Sequence, residues 1–176
     1  VIIAPRGMLH DGALAQKKIK KKLFILFSKI SGLHSKIIWH ATSIKEEEQN
    51  SLLYKYLETS FLWLDTHSNI ANFHLLFLLN LTKYLGFYPE INVVNATYFD
   101  LLEGRFTIHN KPNAVSGENL IQFKKLLGIN FDVLHEVDFS ALNRQVVLSI
   151  LIQYFELHLS GFKKPKSLNV LKAVFS

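Results

Sequence analysis

The sequence predicts a mainly α-helical domain of the bundle type with a small β-hairpin insert, preceded by a short βαβ-like fragment. Apolar residues make up 49% of the 176 residues and aromatic residues 12%, enough for a buried globular core. From residue 44 onward, apolar side chains recur at helical spacing in most segments. Between those segments, one short stretch of β-forming residues surrounds a Glu-Gly pair, which is the pattern of a hairpin.

The first 43 residues carry the order strand, helix, strand. Residues 1–4 (VIIA) form a short apolar run that ends at Pro5, and residues 36–41 (KIIWHA) form a second run. A helix is predicted between them over residues 13–30, with Gly32 after its end. Parallel strands are normally buried within a larger sheet, so two strands alone leave this unit incomplete.

The next two helices are predicted from their caps and from the spacing of their apolar residues. Ser43 to Glu46 is a capping box that begins the first of them. Its apolar face is predicted to consist of Leu53, Leu57, Phe61 and Leu64, widened by Leu52, Tyr56 and Trp63. The second helix starts near Asn69 and ends at Gly86; because it is apolar nearly all round, we expect it to be the central, buried helix.

The remainder is predicted as a hairpin followed by three helices. Residues 97–108 (TYFDLLEGRFTI) form the hairpin, with Glu103 and Gly104 at its turn. A helix with Ser116 as its N-cap follows, then a long helix over residues 143–159 and a short closing helix over residues 167–175. The predicted centre of the core is Phe73, Phe77, Leu78, Leu81, Val147, Leu151 and Tyr154.

The net charge of +6 is unevenly distributed along the chain. Residues 1–45 hold 9 basic and 1 acidic residue, a net +8, whereas residues 46–176 hold 11 basic and 13 acidic residues, a net −2. Most of the excess belongs to one lysine cluster, which is either a solvated helix face or a nonspecific phosphate-binding surface. The cluster consists of Lys17, Lys18, Lys20, Lys21 and Lys22. The global charge is therefore no argument that the larger part binds nucleic acid.

The sequence contains no recognisable catalytic or metal-binding pattern. Without cysteine there is no disulfide, no thiol catalysis and no Cys-ligated zinc. No two histidines have the i, i+4 spacing of a metal-binding helix; His74 suits a packing role, and Glu103 a turn. The most apolar stretch is interrupted by Asn80 and Lys83 before it reaches the length of a spanning helix. We therefore expect a cytoplasmic, non-enzymatic protein without metal or cofactor.

Residues 1–43 resemble a fragment of the two-Rossmann-domain retaining glycosyltransferases. The resemblance is carried by APRGML, the lysine-rich helix and IIWHATS, and it implies that Arg6 and Gly7 lie in a loop near the interdomain cleft. The acidic residues that hold the donor sugar in that family have no counterpart in this sequence. The corresponding alternative function is an inactive remnant of a nucleotide-sugar glycosyltransferase fused to a helical passenger domain.

Residues 44–175 resemble the C-terminal domain of the RecO family of DNA repair and recombination mediators, in its Bacteroidetes-like form. The matching segments, in the family's order, are FLWLD, NFHLLFLLNLTKYLGFYPE, YFDLLEGRF and YFELHLSGFKKPKSLNVL. Many members of that family carry a four-cysteine zinc site in the region of residues 86–108, where this sequence has no cysteine. We expect aromatic packing to hold that region instead, through Phe87, Tyr88, Tyr98, Phe99 and Phe106.

The RecO resemblance implies a role carried out by binding. Its expected partners are single-stranded-DNA-binding protein, RecR and, as a further candidate, single-stranded DNA. It implies a pocket for the acidic, Phe-ended tail of single-stranded-DNA-binding protein. Candidates for the basic rim of this pocket, or for phosphate contact, are Lys163, Lys164 and Lys166. Alternatively, these lysines belong to a solvated loop that neutralises the C-terminus of a helix.

The two resemblances also predict two domains of separate ancestry. The family's N-terminal OB-fold is not recognisable, and the glycosyltransferase-like piece stands in its place. A chimaera is therefore expected, with residues 1–43 as the βαβ fragment and residues 44–176 as the helical domain. The boundary is predicted within about five residues of Ser43.

Overall fold

The structure, a computed structural model, describes residues 44–91 and 96–164. Its elements are helix α1 (Ile44–Thr66), helix α2 (Phe73–Leu85), strands β1 (Tyr98–Asp100), β2 (Arg105–Thr107) and β3 (Ala114–Ser116), helix α3 (Gly117–Lys124), a 3-10 turn (Leu134–Glu136) and helix α4 (Ala141–His158). The predicted mainly α class with a small β insert is confirmed. The predicted βαβ fragment, the predicted closing helix and the predicted boundary at Ser43 lie outside the described residues. No helix in the described ranges is both long enough and apolar enough to cross a membrane.

Helix α1 belongs to one compact unit of the chain, together with Lys163 and Lys164, and His67–Phe162 belongs to the other. Within α1, Tyr56, Ser60 and Leu64 form a buried row at four-residue spacing. Leu52 was predicted to extend the apolar face, and this is wrong, since its side chain is 56% exposed. Each four-residue step rotates the side-chain direction by about 40° beyond a full turn of the helix. One step before Tyr56, at Leu52, the side chain therefore points toward solvent.

In the second unit, α2 is the central helix, as predicted. Every residue from Phe73 to Thr82 is buried, and α4 packs against both α2 and α3. The helix begins at Phe73, later than predicted, and ends at Leu85, with Gly86 as its C-cap. The φ of 85° at Gly86 turns the chain so that the Phe87 N–H donates to the Thr82 carbonyl at 3.0 Å. The seven predicted core residues are confirmed, because each is at most 1% exposed; they are Phe73, Phe77, Leu78, Leu81, Val147, Leu151 and Tyr154.

The β insert is a three-stranded antiparallel sheet in the order β2-β1-β3. The predicted hairpin is confirmed: Phe99 lies opposite Phe106, and Gly104 at the turn has a φ of 67°. Strand β3 was not predicted. It is three residues long and pairs Val115 with Phe99, and it follows a Lys-Pro-Asn segment that is typical of a loop.

The serines at the N-caps of α3 and α4 differ in their hydrogen bonding. Ser116 occupies the N-cap of α3, as predicted, but its side chain accepts no hydrogen bond from that helix. Ser140 caps α4, and its Oγ accepts from the Asn143 N–H at 3.1 Å. A separate contact involves Asn72, the residue before α2, whose Nδ2 donates to the Val137 carbonyl at 2.6 Å. This bond joins the 129–140 connection to the central helix.

Candidate partner-binding surface

The predicted binding lysines near the end of α4 lie just beyond a tight turn. Gly161 adopts a φ of 78°, the Phe162 N–H donates to the Leu159 carbonyl at 3.0 Å, and the Phe162 ring lies 5.7 Å from that of Phe155. Lys163 and Lys164 follow directly in the chain, and both are exposed. Lys166 and the cluster Lys17, Lys18, Lys20, Lys21 and Lys22 lie outside the described residues. All of these assignments therefore stay predictions.

Two further exposed lysines lie at the end of α3. They were not among the residues predicted from the sequence. The Lys124 Nζ lies 5.1 Å from the centre of the Phe106 ring and donates to the Ala96 carbonyl at 3.3 Å. The Lys125 Nζ lies 5.6 Å from the centre of the Phe139 ring. Both ammonium groups are therefore engaged by aromatic faces of the same domain. That arrangement depends on contacts far apart in sequence, so no local pattern indicated it.

The C-terminal part of α4 holds the hairpin through a cluster of aromatic rings. The Tyr154 hydroxyl donates to the Phe87 carbonyl at 2.7 Å, and His158 Nε2 lies 2.8 Å from the Leu101 carbonyl oxygen. The His158 ring also stacks on Phe87 with centroids 5.2 Å apart. Burial, assisted by the charge of Glu90, raises the pKa of Tyr154. The hydroxyl therefore keeps the proton that it donates.

Aromatic packing of the hairpin, expected from the sequence, is confirmed for three of the five predicted residues. Phe99 contacts the rings of Phe106, Phe123 and Tyr154 at centroid distances of 5.0, 5.1 and 6.0 Å, and Phe87 contacts Tyr154 and Phe155 at 5.7 and 5.4 Å. Tyr88 acts differently. Its hydroxyl accepts from the Gly128 N–H at 3.2 Å, and its ring lies 4.5 Å from the Lys83 ammonium. Tyr98 is half-buried on the opposite face of the sheet.

An ion cluster lies on that opposite face. The Lys111 Nζ contacts Asp100 Oδ2 at 2.8 Å and Glu103 Oε1 at 2.6 Å, and Arg105 pairs with Glu103. Burial alone would raise the pKa of Asp100, but hydrogen bonds from Lys111 and from the backbone N–H groups of Glu103 and Leu102 leave it below its usual value. The same two carboxylates raise the pKa of Lys111. At neutral pH Asp100, Glu103 and Lys111 are therefore charged.

The residues of this region do not fit the zinc site known from other members of the family that the sequence resembles. Tetrahedral zinc takes about four N, S or O ligands, and the chain has no cysteine. The carboxylates of Asp100 and Glu103 are already bound by Lys111 and Arg105. Within residues 44–91 and 96–164, no three histidine or acidic residues are grouped so that they could hold a metal.

His74 is the most strongly perturbed histidine of the described ranges. It lies in the first turn of α2 and is 1% exposed. Burial, and secondarily the charge of Arg144, lower its pKa to about 3, against the opposing effect of a hydrogen bond with the backbone of Ala71. His74 is therefore neutral at physiological pH. The packing role predicted for it agrees with this position.

These features define a mainly α-helical domain with a β insert, whose buried titratable groups serve packing and ion pairing. Within that class, the family described as "Recombination protein O C terminal" matches residues 41–168. The chain belongs to this family.

Curated relatives agree with the family assignment. The chain is 48% identical over 134 residues to a DNA repair protein RecO of Flavobacterium johnsoniae, covering 76% of this chain and 56% of the relative. It is 46% identical over 142 residues to the protein of that name from Flavobacterium psychrophilum, covering 81% and 59%. A Bacteroides fragilis RecO is 36% identical over 140 residues, covering 76% and 57%.

The matches cover only part of this chain and only part of each relative. The chain spans a little over half the length of the curated relatives it matches. No solved structure matches it. The glycosyltransferase resemblance of residues 1–43 finds no support in the comparisons.

Proposed function

We propose that this chain is a DNA repair and recombination mediator module that acts by binding single-stranded-DNA-binding protein, RecR and DNA, and not by catalysis. The observation that carries the proposal is the family match over residues 41–168, on a helical core whose predicted members are buried as expected. The engagement of Asp100 and Glu103 in ion pairs and the burial of His74 support the non-catalytic part.

The binding mode that we propose is recognition of an acidic peptide with a terminal aromatic residue, the chemistry of the tail of single-stranded-DNA-binding protein. A ligand of this kind needs an apolar site with cations at its rim, because each solvent-exposed ion pair adds only about 0.2–1 kcal/mol. Lys163 and Lys164 are exposed, and Lys166 follows two residues later. We propose these three lysines as the rim.

The test is titration of the full chain into a fluorescent acidic peptide that ends in phenylalanine, followed by anisotropy. Changing Lys163, Lys164 and Lys166 together to glutamine should weaken binding about tenfold or more, from the loss of three rim cations. A control changes the two lysines Lys124 and Lys125 to glutamine, since their ammonium groups lie over aromatic rings of the same domain. The control should retain most of the affinity.

The outcomes separate the site from the function. Loss of binding in the control but not in the triple variant would move the rim to the end of α3. Absence of saturable peptide binding by the unmodified chain would instead count against the tail-binding role itself. Binding of RecR and of single-stranded DNA is measured separately on the same three proteins.

A further inference from the structure

The connection from β2 to β3 is forced to cross the sheet. Both strands run antiparallel to β1 and lie on either side of it. Thr107 ends β2 opposite Tyr98 at the start of β1, whereas Ala114 begins β3 opposite Asp100 at its end. The six residues between them, 108–113, must therefore pass over β1 and along its length. We call residues 108–113 the strap.

The strap crosses on the face of the sheet that points away from the aromatic core. Side chains alternate along a strand, and Phe99 faces the core with 0% exposure. The neighbouring Asp100 side chain faces the other way, yet it is also buried, at 2% exposure. The Lys111 ammonium of the strap contacts this carboxylate at 2.8 Å. Asp100 is therefore covered on the outer face by the strap.

Polar contacts hold the strap in place. Lys111 bridges Asp100 and Glu103, the Leu101 N–H donates to the Asn113 carbonyl at 3.1 Å, and the Ala114 N–H donates to the Lys111 carbonyl at 3.0 Å. Its one large apolar side chain, Ile108, is 64% exposed, and His109, Asn110 and Pro112 are exposed as well. Segments with few buried apolar contacts open at lower free energy than a core does.

We propose that the strap opens as a unit while the helical core stays folded. Lys111 is the latch, meaning the residue whose ion pairs keep the strap closed, and opening uncovers Asp100 and the outer face of β1. Lys111 is the single residue of the strap whose side chain bonds to both carboxylates. Neutralising it leaves the Asp100 carboxylate buried without its counter-ion, which favours the open state. The outer face of the sheet is thus a surface whose accessibility depends on the charge of one side chain.

The proposal is tested by native-state hydrogen exchange on the full chain. Exchange of the Leu101 and Ala114 amides measures opening of the strap. Exchange of the Leu102 amide measures loss of its hydrogen bond to the Asp100 carboxylate, which is 2.9 Å long in the closed state. Amides in the middle of α2 and α4 serve as references for the helical core. In the unmodified protein, the strap amides should exchange at least about a hundredfold faster than the references and with little dependence on denaturant. Equal exchange rates and equal denaturant dependence in both groups would overturn the proposal.

Variants at residue 111 test the latch. Lys111→Gln should raise exchange of the strap amides roughly tenfold and leave α2 and α4 unchanged, because a charge-assisted hydrogen bond is lost. Lys111→Arg keeps the charge and should stay near the unmodified rates. A glutamine variant with unchanged strap exchange, or with equal acceleration in the strap and in both helices, contradicts the role of Lys111. If that variant does not fold, the denaturant dependence measured on the unmodified protein decides.

Discussion

The Tyr154 hydroxyl donates a hydrogen bond to the carbonyl of Phe87, 67 residues earlier in the chain, at 2.7 Å, and the same oxygen fills the space where a side chain at residue 104 would begin. A Cβ added to Gly104 would lie 2.5 Å from it. The hairpin turn, the residues just after α2 and the C-terminal part of α4 therefore meet at one atom. The absence of a side chain at residue 104 is a condition of that contact.

Gly104→Ala should destabilise the protein for two reasons that a control separates. Its φ of 67° is unfavourable for alanine, and its Cβ would collide with Tyr154. Gly128 has a φ of 77° with nothing within 4 Å of an added Cβ, so Gly128→Ala measures backbone strain alone. In urea unfolding, we expect a loss of about 1 kcal/mol for Gly128→Ala and of roughly 2–4 kcal/mol for Gly104→Ala. Equal losses would show that the Tyr154 contact costs nothing.

Tyr154→Phe should lower the free energy of unfolding by about 1–2 kcal/mol, since it leaves the Phe87 carbonyl without its donor. It should also relieve part of the damage of Gly104→Ala, because the colliding oxygen is removed. The double variant would then be less destabilised than the sum of the single variants, by about 1 kcal/mol in a double-mutant cycle. Additive losses would mean that alanine at residue 104 is accommodated without reference to Tyr154.

The parts of this region that were predictable from sequence are those set by local pattern. The Glu103-Gly104 pair and the β-forming residues around it indicated the hairpin, and the period of α2 and α4 indicated their core residues. Strand β3, the coverage of Asp100 by the strap and the positions of Lys124 and Lys125 over rings depend on pairing between distant residues. Local propensity carries no information about such register, so the sequence alone did not reveal them.

The lowered pKa of His74 predicts that the protein loses stability in mild acid. Its pKa is lowered to about 3 in the folded protein, whereas the pKa of a histidine in an unfolded chain is about 6.5. Between these two values the unfolded state binds more protons, so the free energy of unfolding should fall as pH falls from about 6.5 toward the folded pKa. His74→Leu should flatten this slope in urea titrations at several pH values. An unchanged slope in the variant would assign the acid sensitivity to other groups.

The predicted boundary near Ser43 can be tested by shortening the chain. A protein that starts at residue 46 should melt cooperatively, because the predicted core residues all lie between Phe73 and Tyr154 and the family match begins at residue 41. Circular dichroism during heating measures this, with the full chain as the reference. If the shortened protein loses its cooperative transition, residues 1–45 are part of the folded domain and the two-domain prediction is wrong.

DNA binding and acidic-peptide binding should depend on two different sets of lysines. Residues 46–176 carry a net −2 and residues 1–45 a net +8, so direct DNA affinity of the full chain should come mainly from Lys17, Lys18, Lys20, Lys21 and Lys22 and be independent of sequence. Counterion release should make the logarithm of the affinity for single strands fall with that of salt, with a slope of roughly −0.7 per phosphate neutralised. Changing this set to glutamine should remove most DNA binding and leave acidic-peptide binding intact, because the proposed peptide site depends on Lys163, Lys164 and Lys166.

The converse variant completes the test. Changing Lys163, Lys164 and Lys166 to glutamine should weaken acidic-peptide binding and leave both DNA affinity and its salt slope nearly unchanged. The two measurements share the same proteins, so a general loss of folding would appear as a loss of both activities together. If the second set abolishes DNA binding while the first has no effect, residues 46–176 carry a DNA site of their own in spite of their net negative charge, since a local arrangement of cations can outweigh a small overall excess of acids.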